Sequence, residues 1–208
     1  MLLREITSLK ENPNPLSFED LPEPKIDPDE VLIHVTRCGV CHTELDEIEG
    51  RTPPSRLPMI LGHQVVGIVE KCSDDFSRPE KATKVATTGQ RVGVAWIAST
   101  CGECDYCKTG RENLCPDFKA TGRDIDGGYA EYMKIRADFV HPIPDSFSDS
   151  EAAPLLCAGA IGYRSLRLSN LQDRQSLGLM GFGGSNHLVL KLAKHKFPRS
   201  NICMTLAD

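Results

Sequence analysis

The chain has 208 residues, of which 40% are hydrophobic and 6% aromatic, enough for one large folded domain or two modest ones. Its 24 basic and 29 acidic residues give a formal net charge of −5, without a lysine or arginine block, which argues against nucleic-acid binding. No apolar run approaches the roughly 20 residues of a membrane span, and the charged N-terminus is unlike a signal peptide. We therefore expect a soluble, cytoplasmic protein.

Short apolar runs, separated by proline, glycine and aspartate clusters, dominate the first two thirds of the chain. They include VLIHV at 31–35, ILGHQVVGIVE at 60–70 and RVGVAWI at 91–97. This pattern predicts strands of a partly open β-barrel over residues 1–150. Pro142, Pro144 and a polar helix cap then predict a junction between two domains.

Three isolated residues along the chain are candidate metal ligands. Cys41 stands in GVCHTEL, His63 in GHQVVGIV and Cys157 in AAPLLCAGAIGY. Spacing alone does not join them, because a lone histidine is more often structural and a cysteine in an apolar run is usually buried. From their immediate neighbours, all three remain open candidates.

The stretch CGECDYCKTGRENLC at 101–115 concentrates four of the nine cysteines. Cys101, Cys104, Cys107 and Cys115 follow C-x2-C-x2-C-x7-C, which suits four thiolates around one zinc ion in a closed structural site. An iron–sulfur centre is the rival metal, and scattered reduced cysteines are the alternative without a metal. Without a secretory signal, disulfides are disfavoured. The cysteines with no assigned partner are expected to be buried thiols: Cys38, Cys72 and Cys203.

The C-terminal segment predicts the opening of a dinucleotide-binding fold. An apolar strand at 177–180 leads into a glycine-rich turn, a helix from about 185 to 196 and a second strand at 202–206. The fingerprint G-x-G-x-x-G is met in part, with Asn186 in place of the third glycine. The predicted cofactor-binding residues of the turn are Gly181, Gly183 and Gly184. The alternative is an ordinary tight turn between a strand and a helix.

In chain order, these segments resemble the medium-chain, zinc-dependent alcohol dehydrogenase family along nearly the whole chain. GVCHTEL is similar to that family's first catalytic-zinc segment, GHQVVGIV to its histidine segment, and CGECDYCKTGRENLC to its structural-zinc lobe. AAPLLCAGAIGYRSL is similar to its third-ligand helix. The resemblance implies a GroES-like, partly open β-barrel catalytic domain at 1–150, followed at 151–208 by the N-terminal part of a Rossmann domain.

The resemblance also implies an oxidoreductase that holds two zinc ions per chain. Cys41, His63 and Cys157 would bind a catalytic zinc with a fourth position open to water or substrate, and the four clustered cysteines would bind the structural zinc. Such an enzyme interconverts small-molecule alcohols with aldehydes or ketones. It does so by hydride transfer with a nicotinamide cofactor, NAD or NADP.

Five residues acquire roles near the catalytic zinc by the same resemblance. Thr43 would take the substrate proton, with Asp46 at the outer end of the relay, where the family commonly has histidine. His42 would face the cofactor pyrophosphate. Glu44 would orient the zinc histidine, and Gln64 stands where a glutamate often follows that histidine. The alternatives are a helix-capping threonine, an exposed histidine and a solvated glutamate.

Asp208 ends both the second predicted strand and the sequence. An acidic residue there would accept the ribose hydroxyls of NAD and repel the phosphate of NADP, which slightly favours NAD. Because a complete dinucleotide fold needs further strands, we expect a fragment or truncated form of a longer dehydrogenase. The alternative function is a non-catalytic, zinc-stabilised binding or assembly module. The resembling family often forms dimers and tetramers, so a homo-oligomer is one outcome for the complete enzyme.

Overall fold

The computed structural model describes residues 1–75 and 86–205. It divides into two compact units, Met1–Ala153 and Pro154–Asp208, and each has its own apolar core. In the part of the chain that is described, no helix is long and apolar enough to cross a bilayer.

The first unit is built from short antiparallel strands with brief helices between them. Its strands are β1 (Leu2–Leu3), β2 (Leu16–Ser17), β3 (Glu30–Cys38), β4 (Met59–Ile60), β5 (Val65–Cys72), β6 (Arg91–Val94), β7 (Ile97–Ser99), β8 (Lys119–Ala120), β9 (Tyr132–Arg136) and β10 (Val140–Pro142). Its α-helices are α1 (His42–Ile48), α2 (Asp105–Lys108) and α3 (Asp149–Ala152), and its 3-10 helices are Glu112–Leu114 and Ala137–Phe139.

A five-stranded antiparallel sheet, in the order β10-β6-β5-β3-β9, carries the core of this unit. β-Branched and apolar residues of these strands, such as Val31, Ile33, Val65 and Ile135, are completely or almost completely buried. This burial explains why the apolar runs of the sequence form strands rather than loops. The sheet confirms the predicted partly open, GroES-like barrel.

The second unit begins a parallel βαβ arrangement. It contains α4 (Ala158–Leu168), β11 (Ser176–Met180), α5 (Gly184–Lys196) and β12 (Asn201–Thr205), after a 3-10 turn at Ala153–Leu156. β11 and β12 pair in parallel, and Leu179, Val189 and Ala193 are buried in one cluster. Parallel neighbours need a crossover, which α5 provides. The predicted strand–helix–strand order is confirmed, as the start of a Rossmann fold.

The prediction that the three remaining cysteines are buried is wrong for Cys203, which is exposed. Successive side chains of a strand point to opposite faces. In β12 the neighbouring Ile202 packs against the apolar cluster of the second unit, so Cys203 faces away from it. Cys38 and Cys72 are half-buried and pack against the core of the first unit.

Candidate metal centres and glycine-rich turn

The four cysteines of residues 101–115 converge at one point of the first unit. Cys104 Sγ lies 3.5 Å from Cys107 Sγ, and Cys115 Sγ lies 3.5 Å from Cys101 Sγ. The Cys101 and Cys107 sulfurs are 3.9 Å apart. Four sulfurs at about 2.3 Å from a zinc ion in a tetrahedron would be about 3.8 Å apart. The donor set and its spacing therefore fit a closed zinc site.

Backbone N–H groups and burial set the protonation of this cluster. The N–H groups of Glu103 and Cys104 approach Cys101 Sγ at 3.5 and 3.4 Å. They lower the pKa of the Cys101 thiol to about 7. Burial raises the pKa of the Cys115 thiol to about 11. A buried thiol of this kind ionises when a cation offsets its charge.

A second group of metal-binding side chains centres on His63, which follows β4 and is buried. Cys41 stands at the N-cap of α1, and the ligand atoms of Cys41 and His63 lie within 4.8 Å of each other. His63 Nδ1 is 2.7 Å from Glu44 Oε1, and Glu44 Oε2 accepts a hydrogen bond from the Cys41 N–H at 2.7 Å. One buried carboxylate thus contacts both the His63 ring and the Cys41 backbone, in the manner of a carboxylate–histidine–metal arrangement.

The protonation of His63 depends on this pairing. Burial alone would lower its pKa, but hydrogen bonds with Cys41 and Glu44 outweigh burial and raise the pKa to about 9. A metal ligand must be a neutral imidazole. Binding a metal at this site therefore requires the release of a proton.

Close packing sets the position of His63. The preceding Gly62 has φ +99°, and a Cβ there would lie 2.6 Å from the Tyr129 ring and 2.9 Å from Cys38 Sγ. Only glycine fits such a position. The His63 ring contacts Trp96 edge-on, with centroids 4.8 Å apart. This contact places Trp96 beside a candidate ligand.

Glu47 is a buried acidic residue that the sequence analysis did not single out. It lies one helical turn after Glu44 in α1 and is 0% exposed. Neither of its carboxylate oxygens has a hydrogen-bond partner among the described residues. Burial, reinforced by the charge of Glu44, raises the pKa of Glu47 to about 8. Its i, i+3 spacing from Glu44 is the only sequence signal that pointed to it.

Helix α1 carries the residues predicted for proton transfer and pyrophosphate contact, beginning at its N-terminus. Thr43 Oγ1 lies 3.5 Å from Cys41 Sγ. Arg51 Nε donates to Asp46 Oδ1, and His42 Nε2 lies 3.7 Å from the same oxygen. The His42 side chain is 76% exposed. Sequence reasoning missed Arg51, because nothing in EGRTPP indicates that it folds back on α1.

Gln64, unlike the exposed His42, is buried, and it lies beside the loop that leads into α1. A Cβ on Gly39 would meet the Gln64 side chain at 2.9 Å, and Gly39 N–H donates to the Gln64 carbonyl at 2.9 Å. A neutral amide at this position adds no charge next to His63.

Cys157, the third predicted ligand, belongs to the second unit. It is the N-cap residue of α4 and is half-buried. Its assignment to the catalytic metal remains a prediction from the resemblance.

The glycine-rich turn of the second unit lies between β11 and α5. Gly181 has φ +73°, and a Cβ on either Gly181 or Gly183 would meet no atom within 4 Å. α5 begins at Gly184, so the free N–H groups of its first turn follow directly on this open backbone. A turn of this kind suits an anionic phosphate. Asp208 lies outside the described residues.

The profile of the alcohol dehydrogenase GroES-like domain matches residues 27–145. A probable alcohol dehydrogenase of Mycobacterium tuberculosis is 48% identical over 170 residues, which cover 82% of this chain and 49% of that protein. An alcohol dehydrogenase of Geobacillus stearothermophilus is 42% identical over 180 residues, 86% of this chain and 51% of that protein. The chain spans about half the length of the curated relatives it matches.

Among solved structures, the alcohol dehydrogenase of the archaeon Aeropyrum pernix aligns with a TM-score of 0.81 at 28% identity. The alignment covers 98% of this chain and 57% of that one. This alignment extends through both units of the fold.

Proposed function

Because the chain belongs to the family defined by the alcohol dehydrogenase GroES-like domain, we propose that it is part of a zinc-dependent alcohol dehydrogenase. The activity is the interconversion of small-molecule alcohols with aldehydes or ketones. The observation that carries the proposal is the buried His63, 2.7 Å from Glu44 and close to Cys41. A buried histidine with this carboxylate partner and a neighbouring thiol is suited to hold a catalytic metal.

Two zinc ions per chain are proposed. Cys41 and His63, with Cys157 of the second unit, hold the catalytic ion, and Cys101, Cys104, Cys107 and Cys115 hold the structural one. When bound at the first site, zinc supplies a Lewis acid that favours loss of the alcohol proton. Glu44 orients His63 and keeps its Nδ1 proton in place, so that Nε2 is the nitrogen left for the metal.

The proton leaves through side chains at the start of α1. Thr43 has a hydroxyl that accepts and donates at once, and it lies next to Cys41. Asp46 receives the proton at the outer end, where Arg51 holds its carboxylate in one orientation.

His42 and the glycine-rich turn at 181–184 contact the pyrophosphate of a nicotinamide cofactor. The open backbone of Gly181 and Gly183 supports this assignment, and NAD is preferred over NADP if Asp208 meets the ribose.

The proposal is tested by zinc content and cofactor binding on the same preparation. After gel filtration in the presence of a reductant, elemental analysis should give about two zinc ions per chain. Titration with NADH and NADPH, followed by nicotinamide fluorescence, should saturate, with NADH binding more tightly. Alcohol-dependent formation of NADH then tests the reaction itself. A zinc-free chain would contradict the proposal.

Replacing Cys157 by alanine should remove about one zinc ion per chain and leave the other in place, because only the catalytic site loses a ligand. Alcohol-dependent NADH formation should be lost with that ion. Cys203→Ala is the matched control, since it makes the same change at an exposed cysteine of the same unit. Unchanged zinc content in Cys157→Ala would refute this third ligand.

A further inference from the structure

Asn186 is the residue that departs from the glycine fingerprint, and its side chain has a definite place in the turn. It lies in the first turn of α5. Its amide nitrogen is 2.7 Å from the Met180 carbonyl oxygen and 2.8 Å from the Gly181 carbonyl oxygen. Because both partners are acceptors, the nitrogen end of the amide must face them.

These two hydrogen bonds hold the peptide units through which the chain leaves β11. Met180 is the last residue of the strand, and Gly181 takes the positive φ that starts the turn. The Gly181 N–H donates to the Thr205 carbonyl of β12 at 2.8 Å. Gly181 is therefore tied to β12 through its N–H and to α5 through its carbonyl. The glycine that the fingerprint has at position 186 would make no such side-chain bond.

The direction of the two carbonyl groups matters for an anion. Their oxygens carry partial negative charge, and both point at the Asn186 amide rather than at the open space beside Gly181 and Gly183. The first intrahelical bond of α5 given by the structure runs from the His187 N–H to the Gly183 carbonyl, at 3.0 Å. The N–H groups before it are the donors that a phosphate would meet.

We infer that Asn186 is a positioning residue for the pyrophosphate of the dinucleotide. It pre-forms the turn by holding the Met180 and Gly181 carbonyl groups, and it keeps those groups away from the phosphate. This inference rests on the proposed dinucleotide function. A turn that is already ordered loses less conformational entropy when the ligand binds.

Three substitutions separate the contributions of the amide. Asn186→Ala removes both hydrogen bonds without adding charge, and Asn186→Gly restores the fingerprint residue. Asn186→Asp keeps the size of the side chain but turns a donor into a charged acceptor that faces two carbonyl oxygens. Asn170→Asp is the matched control: it lies in the same unit, and its side-chain oxygen accepts from Gln172, a role that aspartate retains.

The affinities of NADH and ADP for the full chain, measured by titration, are the first readout. We expect Asn186→Ala and Asn186→Gly to weaken both ligands by about tenfold, and Asn186→Asp to weaken them further, through repulsion of phosphate. Asn170→Asp should bind both as the parent does. Parent-like affinities in Asn186→Ala and Asn186→Gly, with the fold retained by circular dichroism, would overturn the inference.

Amide hydrogen exchange at residues 181–184, measured without nucleotide, is the second readout. We expect faster exchange in Asn186→Ala than in the parent, because the turn is no longer held, while amides of β11 exchange as before. If the parent binds neither NADH, NADPH nor ADP, the proposed cofactor function fails for this chain. Hydrogen exchange then decides whether Asn186 orders the turn. Unchanged exchange at 181–184 in Asn186→Ala rejects that role, and faster exchange in the variant supports it.

Discussion

A chain in which Cys101, Cys104, Cys107 and Cys115 are all serine will contain about one zinc ion fewer than the parent. It will also lose the ordered conformation of residues 101–118. The physical reason is that these residues have almost no apolar core. Within this described segment, Cys115 is the one buried side chain. Where a segment cannot bury apolar surface, metal binding supplies the folding free energy, about 10 kcal/mol or more for structural zinc.

The measurement combines elemental analysis with limited proteolysis, in the presence of a reductant. Cleavage within 101–118 should be rapid in the variant and slow in the parent. The five-stranded sheet, which has its own core, should persist by circular dichroism. Cys72→Ser is the control, since it changes a cysteine outside both clusters. If the quadruple variant kept the parent's zinc content and protease resistance, the cluster would not be a metal site.

Replacing Glu47 by glutamine will stabilise the protein at pH 8, by about 3 to 5 kcal/mol. The buried carboxyl has a pKa raised from 4.5 to about 8, by burial first and by Glu44 second. Below about pH 4.5 the carboxyl is protonated in both the folded and the unfolded chain, so its titration does not lower the free energy of unfolding. Between the two pKa values the unfolded chain is ionised while the folded chain keeps its proton. The free energy of unfolding therefore falls as pH rises through this window.

Urea unfolding of the parent and of Glu47→Gln, at several pH values from 5 to 9, checks this prediction. The difference in the free energy of unfolding between the two chains isolates the contribution of Glu47, because all other titrating groups are shared. It should grow with pH and level off above about pH 8. Glu70→Gln, at an exposed position of β5, should give a small difference at every pH. A Glu47→Gln chain that is less stable than the parent throughout would mean that the carboxylate is ionised and paired.

Local patterns in the sequence were strong predictors of secondary structure. The run from Ser176 to Thr205 had an apolar strand, a glycine turn and helical periodicity in sequence order, and the structure contains β11, α5 and β12 in that order. The barrel strands were equally recognisable from their β-branched runs. The exposure of Cys203 could not be predicted in the same way. Which face of β12 is covered depends on the helix packed against it, not on the strand's own residues.

The candidate metal ligands also fall into a locally encoded group and a group that only the fold brings together. The four-cysteine cluster is local, so its spacing alone predicted convergent sulfurs. Cys41 and His63 are 22 residues apart in sequence, and no local pattern links them. They come together because β5 pairs with β3, and α1 follows β3 directly. The resemblance to the alcohol dehydrogenase family is what links them at the level of sequence.

By itself, the sequence determined what short-range chemistry can specify: the strands, the helices, the glycine turn and the cysteine cluster. The tertiary structure decided which polar groups are removed from water and what they meet there. Burial left Glu47 without a hydrogen-bond partner among the described residues, Arg51 pairs with Asp46 from a neighbouring loop, and Asn186 donates to two carbonyl groups. Solvation and long-range contacts set the properties of such groups, because the energy of a charge or a hydrogen bond depends on its surroundings in space rather than on its neighbours in the chain.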